Sequence, residues 1–240
     1  MEKSKGLAII TGASQGIGAA VAVGLAHDGY RAVLIARSRP NLEKVRDEIM
    51  KSNSCTPEPI VLPLDITDSA KVDYEVRSIN RKYGAVDILV NAAAAFADGS
   101  LSESVDYFRN VVETNLVAQY AVLKTVTEIM KAQAGGYIFN IASRAAKYGF
   151  SGGGIYGSTK FGLVGLTESL YRELAPSGIR ITSLCPGWVN TEMAKKAGTP
   201  LPDEEMIQPD DLLRTIRYLL NLSENVCIKE IILEMKKSII

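Results

Sequence analysis

Short β-branched apolar runs alternate with longer amphipathic stretches along this chain, and no other feature narrows its possible folds as far. The runs lie at 7–10, 32–35, 60–64, 86–90, 137–141, 179–184 and 227–233. Between them, at about 17–28, 41–52, 69–82, 103–132, 155–175 and 209–221, apolar residues recur with a period near 3.6. Short apolar runs that do not alternate with polar residues are strands buried on both faces, which requires a parallel sheet covered by helices on each side. Right-handed crossovers then predict an α/β fold, a doubly wound, mostly parallel seven-stranded sheet with helices on both faces. The chain has 240 residues, 47% of them hydrophobic, and shows no repeat or linker, so 1–240 reads as a single domain.

Helix punctuation agrees with this pattern. Pro209 with Asp210 and Asp211 opens the last helix, and Pro176-Ser177-Gly178 closes the one before it. Two connections are long, 144–154 and roughly 187–208. Loops at the carboxyl ends of strands in such a sheet border the ligand crevice, so 187–208 is the expected substrate loop.

Charge and cysteine usage exclude several function classes. Lys plus Arg and Asp plus Glu each number 27, so the chain has no net attraction for nucleic acid or an anionic bilayer. Three cysteines, Cys55, Cys185 and Cys227, are odd in number and far apart, and His27 is the one histidine. Neither a disulfide framework nor a metal site is expected. The polar start, Met1–Gly6, and the lack of any window of ~20 apolar residues lead to the expectation of a cytoplasmic protein.

The first strand runs into Thr11-Gly12-Ala13-Ser14-Gln15-Gly16-Ile17-Gly18. Glycines at this strand-to-helix junction have a definite use. Gly12 permits a sharp turn, Gly16 lets backbone N–H groups approach a pyrophosphate, and Gly18 brings the helix close to the sheet. The spacing is GxxxGxG, which an ordinary glycine-rich turn also satisfies. The second strand ends Ile35-Ala36-Arg37-Ser38-Arg39, with no acid before Glu43. An acid there would mark NAD by binding the ribose, whereas Arg37 and Arg39 suit a 2′-phosphate. NADP (NADPH) is therefore the expected cofactor, with NAD the alternative because Gln15 is neutral.

Tyr156 and Lys160 stand one helical turn apart. A phenol titrates near 10, and a neighbouring cation lowers that value; a shift of ~3 units takes about 4 kcal/mol. Ser143 ends the preceding strand at the same sheet edge, and its hydroxyl suits a substrate carbonyl oxygen. Asn115 lies inside the 103–132 helix, where an asparagine is unfavourable. Each residue alone also fits a structural role, as a helix pair, a capping hydroxyl or a surface amide.

Taken in order, Thr11–Gly18, Asp65, Asn91, Asn115, Ser143, Tyr156, Lys160 and Pro186-Gly187 resemble the motif series of the short-chain dehydrogenase/reductase family, over nearly the whole chain. Among its members the likeness is to 3-oxoacyl-carrier-protein reductases and carbonyl reductases. The resemblance implies a Rossmann-type fold and hydride transfer between NADPH and a carbonyl or secondary alcohol. Tyr156 would be the general acid/base, Ser143 the oxygen ligand, and Lys160 the group that tunes the phenol and holds the nicotinamide ribose. Asn115 would complete a proton relay. Ser14, Gln15 and Ile17 would join the glycines at the cofactor, Asp65 and Ile66 would contact adenine, and Asn91 would brace the sheet. Pro186, Gly187, Val189 and Thr191 would flank the nicotinamide. A homodimer or homotetramer through 103–132 and 155–175 is implied as well. The family's usual NNAG is here Asn91-Ala92-Ala93-Ala94, which removes a polar contact and puts that loop's shape in question, and the Lys236–Ile240 end lacks the relatives' glycine-rich close.

Phe96, Tyr148, Phe150, Trp188 and Met193 fall in loops bordering the crevice, where they either line an apolar pocket or anchor the loops. Cys185 reads as a small buried hydrophobe and His27 as structural. An NAD-dependent alcohol, sugar or steroid dehydrogenase is the second enzymatic reading. A non-catalytic dinucleotide sensor or scaffold is the reading from another class.

Overall fold

Strand residues of this chain have apolar partners on both sides, and the structure shows how they are covered. The computed structural model describes residues 4–52 and 57–237; Cys55 and the ends at 1–3 and 238–240 lie outside the described residues. Seven strands, β1 (Leu7–Thr11), β2 (Arg31–Ala36), β3 (Ile60–Pro63), β4 (Val86–Asn91), β5 (Gly136–Ile141), β6 (Ile179–Pro186) and β7 (Glu230–Leu233), form one sheet in the order β3-β2-β1-β4-β5-β6-β7. Every neighbouring pair is parallel.

Successive side chains of β1 alternate between two cores. Ala8 and Ile10 pack with α1 (Gly16–His27), α2 (Arg39–Ser52) and α8 (Pro209–Leu220) on one face. Leu7 and Ile9 pack with α3 (Ser69–Tyr83) and α5 (Ala118–Gln133) on the other, together with Leu174 at the end of α6 (Gly154–Leu174). The chain leaves β1 in one direction and β4 in the other, so the strand order reverses between them. That reversal opens a crevice at the carboxyl ends of the strands.

Three elements depart from the sequence pattern. The helix expected at 103–132 is two helices, α4 (Val105–Val112) and α5, joined by a π-helical turn at Glu113–Val117 that contains Asn115. The 187–208 segment holds a short helix, α7 (Glu192–Lys196), capped by Thr191, whose Oγ1 accepts from the Ala194 N–H. The last strand begins at Glu230 rather than 227; at Cys227 the thiol instead donates to the Ile181 carbonyl. Among the described residues no helix is long and apolar enough to cross a membrane, and no cluster of His, Cys, Asp and Glu could hold a metal ion.

Candidate active site

A cleft of about 1050 Å³ opens at the strand ends, and it divides into two arms of different construction. The first arm starts at the β1–α1 turn. Gly12 has φ +67°, and a Cβ there would lie 2.9 Å from the Ala93 backbone; at Gly18 it would lie 2.3 Å from the Gly12 carbonyl oxygen. Both positions must be glycine for the helix to begin so close to the sheet. Gln15 precedes α1 without a side-chain cap, and the first turn carries no acid. The leading N–H groups of α1 therefore face the cleft with the positive end of the helix dipole behind them, a site suited to a phosphate.

Ser14, Gln15, Gly16, Ile17 and Arg37 line this arm, as do Asp65 and Ile66 beyond β3. Asp65 accepts from the N–H and hydroxyl of Thr67. The Thr67 backbone bond, with help from the Thr67 hydroxyl and the charge of Arg37, holds the Asp65 carboxyl below its ordinary value.

Beneath the cleft a buried brace replaces the polar contact that the alanines at 92–94 lack. Thr11 Oγ1 donates to Asn91 Oδ1 at 3.1 Å and accepts from the N–H groups of Ala92 and Ala93 at 3.0 and 3.1 Å. Asn91 Nδ2 donates to the Gln119 carbonyl at 3.3 Å, and the Gln119 amide donates to the carbonyl of Ala93. The N–H groups of Ala92 and Ala93 and the Ala93 carbonyl are thus paired. Thr11 stands in the sequence only as the start of the glycine turn; its bracing role could have been found from its being the polar residue that ends a buried strand.

The second arm meets the first at Ser143, Tyr156 and Lys160, all three of which line the cleft. Ser143 leaves β5 as the N-cap of a 3₁₀ turn at Arg144–Ala146, its Oγ accepting from the Ala145 N–H at 3.1 Å. Tyr156 and Lys160 project from the first turns of α6, whose Gly154 N–H donates to Ser100 Oγ at 3.0 Å. The Lys160 ammonium is 5.7 Å from the centre of the Tyr156 ring and donates to the Ile141 carbonyl at 2.9 Å. Phe96 packs against the phenol ring in a tilted arrangement, ring centres 5.4 Å apart. Burial pushes the Tyr156 phenol up to about 12, with the Ser143 hydroxyl pulling the other way. Burial also lowers Lys160 to about 8. The direction for the phenol is opposite to that expected from its amine neighbour, because enclosure by protein disfavours phenolate and the opposing pull comes from the Ser143 hydroxyl.

Pro186, Gly187, Val189 and Thr191 line the wall where the arms join, and Phe96, Tyr148, Phe150, Trp188 and Met193 line the second arm. Three predicted site residues are elsewhere. Arg39 opens α2 and turns to Glu43 at 3.6 Å, outside the cleft lining, because the i, i+4 partner lies on its own helix. Asn91 is wholly buried in the brace just described. Asn115 is also buried, and its side chain is engaged with the loop across from it. Its Oδ1 accepts from the Ala95 N–H at 2.7 Å, while Nδ2 donates to the Ala95 carbonyl at 2.8 Å and to Thr159 Oγ1 at 3.3 Å. The amide thus ties the π-helical turn to the loop at Ala95 and to Thr159, the neighbour of Lys160.

The arrangement can hold an extended anionic group along one arm and place a hydroxyl, a phenol and an amine around a reacting atom at its end. Known proteins match it. A family model described as short chain dehydrogenase matches residues 6–201. The crystal structure of a β-ketoacyl-[ACP] reductase (FabG) from Bacteroides thetaiotaomicron is 74% identical, covers 99% of each chain and superposes with a TM-score of 0.90. An alcohol dehydrogenase from the archaeon Thermococcus sibiricus, complexed with 5-hydroxy-NADP, is 31% identical over 96% of each chain with a TM-score of 0.85. An uncharacterized oxidoreductase, YxjF of Bacillus subtilis, is 33% identical over 216 residues, 89% of this chain and 82% of its own length.

Proposed function

Because the chain belongs to the short-chain dehydrogenase family of oxidoreductases, we propose that it transfers hydride between NADPH and a ketone or secondary alcohol, with Tyr156 as general acid and base. The observation that carries this reading is the meeting of Ser143, Tyr156 and Lys160 at the end of a cleft whose other arm is the uncapped turn before α1. The residues fit a dinucleotide. Gly16, Ile17 and Gly18 offer backbone N–H groups to the pyrophosphate, Asp65 and Ile66 border the adenine end, and Arg37 answers a 2′-phosphate. Gly187, Val189 and Thr191 flank the nicotinamide end. The dinucleotide supplies the hydride and, once oxidised, a ring carrying positive charge.

The chain's own groups manage the oxygen and the proton. Ser143 and Tyr156 both donate to the substrate oxygen as negative charge builds on it. At neutral pH a phenol raised to about 12 is protonated, so it is ready to donate to an alkoxide, the role it takes in reduction. Lys160, fixed by the Ile141 carbonyl, is charged for most molecules below pH 8 and favours phenolate when the reaction runs in reverse.

Likeness to the β-ketoacyl-[ACP] reductase makes β-ketoacyl thioesters the first substrates to try. The reading includes a cytoplasmic homodimer or homotetramer, supported by half-exposed apolar side chains on the two long helical stretches, Phe108, Tyr120 and Phe161. Exchange of Tyr156→Phe tests the chemistry. Turnover of NADPH with a β-ketoacyl thioester should fall by about 10²-fold or more while NADPH affinity stays within about twofold of wild type. Undiminished turnover would remove Tyr156 from the mechanism.

A further inference from the structure

One ion pair interrupts the apolar second arm. Arg144 follows Ser143 directly, and its Nη1 donates to Glu234 Oε2 at 3.0 Å. Both residues line the cleft, with side chains 30% and 29% exposed. Around them the arm is built from Phe96, Tyr148, Phe150, Trp188 and Met193. Glu192, another charged residue of the lining, also borders the hollow beside Gly16 and Ala19 and so belongs with the phosphate turn.

Glu234 is held on a fixed segment. Glu230, four residues before it, accepts from Lys147 Nζ at 2.9 Å, and Met235, one residue after it, accepts from the Trp188 N–H through sulfur at 3.0 Å. Among the described residues the guanidinium makes this single side-chain bond. A guanidinium carries five N–H donors in a planar fork, and a half-desolvated one is poorly compensated by one carboxylate oxygen. Arg144 lines the cleft, one residue from the hydroxyl proposed to take the substrate's carbonyl oxygen, and its other N–H groups are left for a second acceptor.

We propose that Arg144 is a specificity-determining residue that recognises a carboxylate carried by the ketone substrate beyond the reacting carbonyl. Glu234 orients the guanidinium through one edge and leaves the other for the substrate, where a planar two-point contact is available. Glu234 also places a like charge near the incoming acid and so moderates its affinity. This rests on the ketone-reducing reading of the same site.

Acetoacetate and 2,4-pentanedione test it, because they are β-dicarbonyls of nearly the same shape that differ in a carboxylate against an acetyl methyl. NADPH consumption is followed with each for wild type, Arg144→Met, Arg144→Lys and Glu234→Gln. Arg144→Met should raise KM for acetoacetate at least about tenfold and leave kcat, and both constants for 2,4-pentanedione, within about twofold. Arg144→Lys should recover part of the loss, and Glu234→Gln should lower KM for acetoacetate. Equal damage to both ketones, or none to either, overturns the assignment, as does a wild-type enzyme that reduces 2,4-pentanedione but not acetoacetate. An enzyme that reduces neither of these while turning over a β-ketoacyl thioester also overturns it; no turnover on any ketone is instead a failure of the proposed function.

Discussion

The two arms of the cleft are made of different material. One is main chain: a glycine turn, the open end of α1 and the ends of β1 and β4, with Thr11 pairing the alanine backbone behind it. The other is side chain: aromatic residues on the 144–154 and 187–208 segments and one ion pair. A backbone site has little tolerance, since any added atom displaces the chain itself. A side-chain site can change one residue at a time and keep its frame. The proposed chemistry sits where they meet, on residues rooted in a strand end and a helix start rather than in either loop.

The contrast predicts that one methyl group in the first arm does more harm than a whole ring removed from the second. Gly18→Ala puts a Cβ 2.3 Å from the Gly12 carbonyl oxygen, so about 3 kcal/mol of strain or more should appear as a lower melting temperature and as lost NADPH binding by fluorescence titration. Normal binding in that variant would break the comparison.

At the junction, Lys160→Met should lower kcat by about 10²-fold. It should also change the pH dependence of stability. The folded-state value of about 8 lies below the ordinary 10.5, so between these limits the unfolded chain holds the extra proton. Stability of the wild type therefore rises with pH across that window relative to Lys160→Met, and parallel melting curves from pH 8 to 10.5 would show that the amine titrates normally.

Arg37→Ala sharpens the account of a side-chain contribution in the first arm. Loss of a charged contact to the 2′-phosphate should reduce the ratio of kcat/KM for NADPH over NADH by about ten- to hundredfold, with NADH values nearly unchanged. The same exchange at Arg39, which turns to Glu43, should move the ratio much less. Smallest of all, Trp188→Ala should shift ketone KM a few-fold with NADPH affinity intact, because it reshapes the second arm and leaves the phosphate turn in place.

Much of the first arm was legible because backbone demands leave a trace in residue type. Positive φ at Gly12 and close approach at Gly18 admit one residue, and their spacing after an apolar run locates them. Tyr156 and Lys160 were legible because helical periodicity makes a four-residue interval a statement about one face. The π-helical turn at Glu113–Val117 was not, since the apolar period continues through it and Asn115 within it bonds the backbone of Ala95, far off in sequence. Arg39 reads like Arg37 in sequence; only the start of α2 at that residue turns it toward Glu43. Arg144 and Glu234, ninety residues apart in sequence, meet through sheet order, which no local pattern reports.

A crystal structure with NADPH bound tests the central claim most directly. The account predicts the pyrophosphate on the N–H groups at Gly16–Gly18, the 2′-phosphate at Arg37, and the nicotinamide C4 facing the space between Ser143 and Tyr156, close enough for a ketone carbon to sit about 3–3.5 Å away. A dinucleotide seated in reverse, or one whose nicotinamide lies away from Ser143, Tyr156 and Lys160, would contradict it.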